Sequence, residues 1–569
     1  MTPRVVNRRI RLLFVLLALA LAGTLARATW LQGVRADPLS QLAATQQRQT
    51  IERSARRGTL FDRNGVPLAL GEQATTVYAD PTQVAQPRAV ALAVEKALGL
   101  KAESVLPKLV DTSTAFVYVK RKADSLEADA LRRRQLSGLG FYTEERRLYP
   151  QGAVAAQVLG FAGADNDGLA GLELQLDPIL SGKAGRETVI RDPFGRVVDV
   201  LDEQEERRGR DVFLTLDHRI QAYAQTVLAQ TVRRWGAKSA TAVVLDPQTG
   251  SLLAMATAPS FDANRFAETT PERQRNRTVS DTYEPGSTFK LIPVAGALSE
   301  GLVKPDSAFT LASSIKVADR EISEHDPRPT VRMTVADIVA QSSNVGAITL
   351  AQQLGSERLA SWIDRFGFGH RTGVDFPGET RGIVLPLERW SGSTIGNLPI
   401  GHGIAVTPVQ MAAAYAAVAN DGVWLRPHLV DHVVGGARAR VQRRRILEPR
   451  IADQLATMLT GVVAEGGTGV AAAIPGYHVA GKTGTAAKPL EDGSGYSTSK
   501  YVASFVGFVP ATRPRLVILV TVDEPTTIWG GLVAAPAFQE LARFALQYLE
   551  VPPDDVDTTT TTAEPAATP

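Results

Sequence analysis

Ser287 and Lys290 are a pair of residues whose types and spacing could do chemistry. They lie in the stretch from Glu284 to Leu298, where Pro285 and Gly286 indicate a loop and the following apolar residues predict a buried helix from about Ser287. Residues three apart share a helix face, so the serine hydroxyl and the lysine amine can come within hydrogen-bond reach. A buried lysine with a lowered pKa could take the serine proton and create a nucleophile.

This spacing alone is weak evidence, because it also fits a capped helix with a surface lysine. Two further motifs follow in the chain. Ser342-Ser343-Asn344 comes after the helical stretch Thr334 to Ala340. Lys482-Thr483-Gly484-Thr485 comes after Tyr477 to Ala480 on a predicted strand, where Gly484 would let another segment approach the backbone closely.

Together the three motifs could surround an acyl group that ends in a carboxylate. They supply a serine with a base, a second hydroxyl with an amide, and a cation with hydroxyls on a strand. The start of the first helix would add backbone N–H groups able to hold an oxyanion. Each motif occurs by chance, but the three in this order are a strong signal and match the pattern of active-site-serine penicillin-recognising enzymes.

The chain resembles the class B penicillin-binding proteins, the monofunctional D,D-transpeptidases that cross-link bacterial peptidoglycan. The resemblance covers nearly the whole chain, and no glycosyltransferase domain is evident in the sequence. Besides the three motifs, it rests on Ala28 to Gln32, Arg57 to Gly65, Arg147 to Pro150, Gly171 to Glu173, Gly401 to Pro408 and Gly530 to Pro536. The motifs before residue 210 argue against a free-standing β-lactamase or a low-molecular-weight carboxypeptidase. Ser343 stands where class A β-lactamases carry Asp, which argues against that class.

The resemblance implies a catalytic role for three residues. Ser287 is expected to be the nucleophile, Lys290 its general base, and Ser342 a proton relay toward the leaving amine. The nucleophile would attack the D-Ala-D-Ala bond of one stem peptide and release the last D-alanine, and an amine of a neighbouring stem would then take the acyl group. β-Lactams would acylate the same serine. Neither a metal nor an organic cofactor is expected.

The resemblance also implies a set of substrate-binding residues, which are Asn344, Lys482, Thr483, Gly484 and Thr485. Asn344 would hold the peptide carbonyl of the substrate, and Lys482 would set the local positive potential. Thr483 and Thr485 would bind the terminal carboxylate. The backbone N–H groups of Ser287 and Thr485 would form the oxyanion hole.

Other functions remain open at this stage. A D,D-carboxypeptidase or a penicillin-sensing domain would use the same acylation, and a non-catalytic cell-wall or divisome scaffold would keep the fold without the reaction. Intact motifs argue against the scaffold. The run from Gly160 to Glu173 resembles division-type members of the family. The resemblance further implies a SEDS-family glycosyltransferase and other division proteins as membrane partners.

The N-terminus carries a basic segment followed by an apolar one. Arg4, Arg8, Arg9 and Arg11 precede the uncharged stretch Leu12 to Ala26. A signal peptide cleaved after Ala26-Arg27-Ala28 would fit that length, whereas a spanning helix needs about 20 residues and could use 12–30. We favour the uncleaved anchor, with the N-terminus in the cytoplasm and the rest of the chain outside it.

The expected fold is an α+β multidomain protein with one transmembrane helix, a mixed α/β pedestal and a C-terminal serine transpeptidase domain. That domain should combine an antiparallel sheet with a helical lobe, because strand patterns stand at both of its ends and helical patterns in its middle. The predicted segments are a cytoplasmic tail 1–11, an anchor 12–30, a pedestal 31–210, a transpeptidase domain 211–550 and a disordered tail 551–569.

Particular elements can be predicted within this plan. Strands are expected on both sides of Asn64-Gly65, at Thr76–Ala79, Asp211–Asp217, Ala240–Leu245, Ser251–Ala256, Ser504–Val509 and Arg515–Val522, and helices at Ala89–Leu98, Ser125–Leu136, His218–Val232 and Ala534–Leu549. Asp217 should cap the third of these helices.

Composition excludes several kinds of site. The 569 residues contain no cysteine, so disulfides, thiolate metal sites and a cysteine nucleophile are ruled out. The seven histidines lack ligand spacing, which argues against zinc. A formal net charge of +3 is small for this length and does not indicate nucleic-acid binding.

Overall fold

The structure, a computed structural model, describes residues 3–35, 37, 48–53, 55–191, 197–438, 440–490, 492 and 495–554. The chain divides into two compact units. The first comprises Met1–Arg56 with Gly182–Gly209, and the second comprises Arg57–Ser181 with Arg210–Pro569. Helices and sheets occur in both units, so the predicted α+β class is confirmed.

The first unit contains a long N-terminal helix and a small sheet. The helix Pro3–Thr29 continues as a π-helical turn over Trp30–Val34. The stretch Asn7–Gly33 is long and apolar enough to cross a membrane, and it includes the predicted anchor 12–30. The sheet is antiparallel, with the strand order Arg48–Arg53, Gly185–Arg191, Val197–Gln204.

The early part of the second unit combines four strands with three helices, and the helices share an apolar core with the three longer strands. Its strands are Leu60–Phe61, Pro67–Ala79, Val117–Ala123 and Leu139–Leu148, and its helices are Pro87–Leu98, Ala102–Val110 and Ser125–Arg132. The predicted Asn64-Gly65 turn joins the first two strands, and Gly65 has a φ of 82°, which glycine adopts without strain. The helix predicted to reach Leu136 ends at Arg132, because Gln135 is left-handed with a φ of 49°.

A buried charge cluster joins separate segments of this part. Glu173 accepts from Arg57 Nε at 2.7 Å and from Arg147 Nε at 2.6 Å, and all three side chains are almost inaccessible. Arg57 also pairs with Asp177 at 2.7 Å. Three of the segments that carry the family resemblance, those containing Arg57, Arg147 and Glu173, therefore meet in space.

The later part of the second unit is built on a five-stranded antiparallel sheet. The strand order is Leu252–Ala258, Ser239–Leu245, Leu516–Asp523, Tyr496–Val509, Ala480–Pro489. The helices His218–Trp235 and Gly530–Tyr548 pack together on this sheet and share a core with it. Asp217 accepts from the N–H groups of Arg219 at 3.0 Å and Ile220 at 3.3 Å, as predicted for the helix cap.

A helical lobe packs against the same sheet, which confirms the predicted arrangement. Its helices are Leu291–Ser299, Val335–Ala340, Asn344–Leu354, Ser356–Arg365, Pro408–Ala419 and Pro449–Thr460. Every residue of Pro408–Ala419 is buried, and this helix contacts the central strands. The first three of these helices are those that follow or flank the first two sequence motifs.

Several predicted boundaries differ from the structure. The predicted strand Asp211–Asp217 is formed only at Val212–Leu214, and the strand predicted at Ser504–Val509 already begins at Tyr496. The predicted strand Tyr477 to Ala480 begins only at Ala480, because the Tyr477 N–H bonds to the Ile474 carbonyl in a tight turn. Residues beyond the predicted domain end at 550 are ordered as far as Asp554, since Val551 is buried and Asp554 accepts from the His478 N–H at 2.8 Å. The rest of the predicted disordered tail, 555–569, lies outside the described residues.

The remaining elements are short. The short strands are Phe161–Ala162, Gly168–Ala170, Val212–Leu214, Ala308–Leu311, Ser314–Val317, Arg320–Ser323, Val331–Thr334, Val423–Leu425, Val430–Val433 and Arg443–Arg445. The short helices and 3-10 turns are Pro81–Gln83, Ala156–Leu159, Gly171–Gln175, Asp177–Leu180, Ala263–Glu268, Pro271–Gln274, Arg277–Ser280, Gly286–Lys290, Leu387–Arg389, Thr394–Asn397, Leu398–Ile400 and Val470–Ala472.

Candidate active site

Ser287 lies on a 3-10 turn, Gly286–Lys290, that leads into the buried helix Leu291–Ser299. The turn passes close to the strand Ala480–Pro489. A Cβ on Gly286 would lie 2.7 Å from the carbonyl oxygen of Thr485, and the φ of Gly286 is 56°. Only glycine fits this approach, so the local backbone brings the first and third motifs side by side.

Lys290 connects the first motif to the second. Its Nζ donates to the Ser342 carbonyl, to Ser342 Oγ at 3.2 Å and to Asn344 Oδ1 at 2.7 Å. The structure therefore brings Lys290, Ser342 and Asn344 together as the sequence motifs predicted. Ser287 is partly exposed one turn away, whereas Lys290 is only 2% exposed.

Burial changes the acidity of Lys290. It lowers the pKa of the amine to about 7, while the negative charge of Glu324 acts in the opposite direction. Leu291, Val294 and Met458 form part of the apolar wall behind the amine. A neutral lysine, which can accept a proton, is therefore accessible near neutral pH.

The second motif occupies a strained turn between two helices. Ser342 has a φ of 59°, a left-handed conformation that is unfavourable for serine. Thr334 caps the preceding helix through a capping box with Asp337. Ser343 Oγ accepts from the Gly346 N–H at 2.9 Å and caps the following helix, Asn344–Leu354. The two caps hold Ser342 and Asn344 at a fixed junction.

Sequence reasoning missed Glu324, a carboxylate that contacts this junction. It accepts from Ser343 Oγ and from the Asn344 N–H at 2.6 Å, and it pairs with Arg328 at 2.6 Å. Asn344 Nδ2 also donates to the Ser323 carbonyl at 3.1 Å. No local pattern in the sequence marks Glu324, because it comes from a loop about 20 residues before its partners.

The third motif lies on the edge strand Ala480–Pro489. Lys482 is 1% exposed, and burial together with the charge of Lys290 lowers its pKa well below the usual range. The predicted close approach at Gly484 is confirmed, since a Cβ there would lie 2.3 Å from Ser504 Oγ and 2.9 Å from the Pro285 carbonyl oxygen. The strand can therefore lie directly against the turn that holds Ser287.

The threonines of this strand are held by neighbouring groups. The Oγ1 atoms of Thr483 and Thr468 lie 2.8 Å apart. Thr485 Oγ1 donates to the Ile528 carbonyl at 3.2 Å and accepts from the Gly530 N–H at 3.3 Å. Neither Thr468 nor the loop at Ile528 had a predicted role, since both lie outside the three motifs.

Glu284 forms a second group of contacts three residues before Ser287. Its Oε1 accepts from the Gly403 N–H at 3.0 Å and from the Tyr496 hydroxyl at 3.1 Å, and its Oε2 is buried without a hydrogen-bond partner. Burial raises the pKa of Glu284 to about 7. The rings of Tyr496 and His402 lie 5.2 Å apart. These residues had no predicted role.

Among the described residues, one group could offer three ligand atoms to a metal ion, Asp62, Asp217 and His218. Its atoms already bind protein donors. Asp62 accepts from His218 Nδ1 at 2.6 Å and from three backbone N–H groups, and Asp217 caps the helix that begins at His218. This arrangement serves as a hydrogen-bonded junction between the early and later parts of the second unit.

Family models match most of the chain. Residues 240–543 match the penicillin binding protein transpeptidase domain, and residues 52–214 match the penicillin-binding protein dimerisation domain. The first range contains all three motifs. The second contains the buried charge cluster around Glu173.

Individual relatives align over most of their lengths. Peptidoglycan D,D-transpeptidase FtsI of Escherichia coli K12 is 32% identical, with 97% of this chain and 94% of the relative covered. Penicillin-binding protein PbpB of Mycobacterium tuberculosis is 35% identical, with 92% and 82% covered. A crystal structure of penicillin binding protein 3 from Mycobacterium tuberculosis, complexed with aztreonam, matches with a TM-score of 0.71 at 30% identity. The match covers 88% of this chain and 98% of the crystallised chain.

Proposed function

The chain belongs to the class B penicillin-binding proteins, and from this premise we propose that Ser287 is the nucleophile of its peptidoglycan D,D-transpeptidase reaction. The protein is a serine-type D,D-transpeptidase, and its family binds peptidoglycan and β-lactams. One observation supports the residue assignment above all. Lys290 Nζ reaches Ser342 and Asn344 from the same short turn that presents Ser287.

In the first half of the reaction, Ser287 Oγ attacks the carbonyl carbon of the penultimate D-alanine of one stem peptide. Neutral Lys290 takes the hydroxyl proton as the new O–C bond forms. The bond to the terminal D-alanine then breaks, and the leaving amine receives a proton by way of Ser342. The N–H groups of Ser287 and Thr485 stabilise the negative oxygen of the intermediate.

In the second half, an amine of a neighbouring stem peptide attacks the carbonyl carbon of the acyl-enzyme. A new C–N bond forms and the bond to Ser287 Oγ breaks. The amine loses one proton to the pair formed by Lys290 and Ser342, and Ser287 Oγ regains one from it. The enzyme returns to its starting state, so the cycle needs no other reactant.

The third motif supplies the proposed carboxylate site. Lys482 gives a positive charge or a hydrogen-bond donor beneath the strand, and the hydroxyls of Thr483 and Thr485 would bind the terminal carboxylate of the substrate. Gly484 keeps the strand close to the nucleophile. Asn344 would donate its side-chain N–H to the carbonyl of the stem peptide.

Labelling with a fluorescent penicillin tests the assignment. The wild-type protein should form a covalent adduct, and Ser287→Ala should lose it completely because the attacking atom is gone. Ser104→Ala, a change at an exposed serine of the helix Ala102–Val110, serves as the matched control and should label like wild type. Mass spectrometry that located the adduct on a serine other than Ser287 would overturn the assignment.

The competing enzyme functions differ in the second half-reaction. A D,D-carboxypeptidase passes the acyl group to water, and a penicillin-sensing domain keeps it. Incubating the protein with a stem-peptide substrate and an acceptor amine separates them, because only a transpeptidase yields the new amide. A non-catalytic scaffold would not form the acyl-enzyme at all.

The placement in the membrane and the partners are also part of this proposal. The N-terminal apolar helix fits a single-pass anchor, and Arg4, Arg8, Arg9 and Arg11 favour a cytoplasmic N-terminus with the catalytic domain outside. A SEDS-family glycosyltransferase and other division proteins would be the membrane partners. Co-purification with a tagged SEDS protein tests the partnership.

The proposal also divides the chain by function into a pedestal at 31–210 and a transpeptidase domain at 211–550.

A further inference from the structure

Glu324 comes from the loop after a small hairpin, Ser314–Val317 with Arg320–Ser323, that none of the three motifs includes. Its side chain is only 6% exposed. One carboxylate oxygen accepts from Ser343 Oγ and the other from the Asn344 N–H at 2.6 Å. Both oxygens are thus directed at the second motif.

The second motif needs such a partner. The N–H of Asn344 stands at the start of a helix, where backbone N–H groups lack partners within the helix. A carboxylate at this end also interacts favourably with the helix dipole. Ser342, one residue before the pair that Glu324 binds, is held at a φ of 59°, which persists only where the surroundings fix the turn.

The same turn positions Lys290. Asn344 Oδ1 and the carbonyl and hydroxyl oxygens of Ser342 all accept from Lys290 Nζ. A change at Glu324 therefore reaches the amine through two residues that contact it directly. The charge of Glu324 also acts on Lys290 through space and raises the pKa that burial lowers.

Other charged groups face this cluster from several elements. Arg328 pairs with Glu324 at 2.6 Å. Lys482, on the neighbouring strand, and His402, after the turn Leu398–Ile400, both have pKa values lowered by burial and by the charge of Lys290. Glu324 is the negative charge that acts on Lys290.

We propose that Glu324 is a positioning residue for acylation, which holds Ser342 and Asn344 against Lys290 and keeps a carboxylate beside that pair. This inference rests on the proposed function, because it takes Lys290 as the base. It assigns the hairpin and its loop to the active site. It also explains how a second motif with Ser343 in its middle position obtains a carboxylate, since Glu324 supplies one from another element.

The test is the pH dependence of acylation by penicillin in the full-length protein. Wild type should lose activity as pH falls through the range where Lys290 takes up a proton. Glu324→Gln keeps an oxygen for the Asn344 N–H but removes the charge, so this acid limb should move to lower pH by about half a unit to one unit. An acid limb at the same pH as in wild type would overturn the proposal.

Two further variants make the result specific. Glu321→Gln removes an exposed carboxylate of the same hairpin, one that bonds Ser314 Oγ at 2.6 Å, and should leave the limb unmoved. Glu324→Ala should lower the acylation rate at every pH as well as move the limb. If Glu324→Ala does not fold, Glu324→Gln alone decides. Failure of wild type to label on Ser287 would refute the proposed function, whereas labelling with an unmoved limb refutes only this inference.

Discussion

At the scale of single residues, the site depends on lysine side chains whose burial favours the neutral amine over the charged form that lysine has in water. Ser287 and Lys290 were predicted to share a helix face, and the observed 3-10 turn improves this relation because residues three apart eclipse in a helix with three residues per turn. Lys290 and Lys482 are both buried, which lowers the pKa of each amine, and the charge of Lys290 lowers the pKa of Lys482 further. The cluster thus favours a neutral amine beside the nucleophile.

Glu284 gives a prediction at the same scale. Its pKa is raised from the usual 4.5 to about 7, chiefly by burial. Between these values the folded protein keeps a proton that the unfolded chain has lost, so stability falls as pH rises through this window. Glu284→Gln should therefore raise the free energy of unfolding at pH 8 by about 1–2 kcal/mol, a figure reduced for partial exposure, and have no such effect at pH 4.

Urea denaturation of wild type and Glu284→Gln at both pH values measures this difference. The matched control is Glu465→Gln, which changes an exposed glutamate of the same unit and should alter stability little at either pH. If wild type were the more stable protein at pH 8, the burial of Glu284 would not be the dominant effect. A hydrogen bond specific to the carboxylate would then outweigh it.

At the scale of elements, the periodic patterns of the sequence predicted most helices and strands. Contacts between segments far apart in the chain could not be predicted from those patterns. The helices His218–Trp235 and Gly530–Tyr548 and three of the five sheet strands were predicted within a few residues from their apolar patterns. The strand Tyr496–Val509 was predicted only from Ser504 onward. The roles of Glu324 and Thr468 could not be predicted, because each lies in a loop whose sequence has no helix or strand periodicity and contacts a motif elsewhere in the chain. Tyr477 was assigned to a strand because its local sequence is strand-like, although a turn overrides that preference.

The buried charge cluster supplies the prediction at this scale. Glu173→Ala would leave Arg147 buried without its carboxylate and Arg57 with Asp177 alone, and breaking a buried pair in this way costs about 3–5 kcal/mol. The melting temperature should fall by several degrees. Glu72→Ala is the matched control, because Glu72 pairs with Arg146 at 2.6 Å on neighbouring strands with both side chains over a third exposed, and such pairs contribute about 0–1 kcal/mol. Equal losses in the two variants would contradict the role given to burial.

At the scale of the whole molecule, the linear plan drawn from the sequence differs from the division in space. Composition suggested a boundary near residue 210, where a charged segment precedes a strand. The compact units instead place Gly182–Gly209 with the N-terminal segment and Arg57–Ser181 with the catalytic part. A chain that leaves a unit and returns to it leaves no mark in local composition, so only the contacts reveal this division. The boundary at 210 stays a prediction about function rather than packing.

The N-terminal helix gives the last prediction. If 12–30 is an uncleaved anchor, the purified native protein begins at its own N-terminus and remains in the membrane fraction after a high-salt wash, because about 20 apolar residues hold a chain in a bilayer. A variant with Leu16→Arg and Leu17→Arg should lose this retention, since each charge near the middle of a span costs about 2.5–3.5 kcal/mol on insertion. Exchanging Arg35, beyond the span, for Gln is the control and should not release the protein. N-terminal sequencing that began at Thr29 would show a cleaved signal, and it would leave the assignment of Ser287 untouched because the two rest on separate residues.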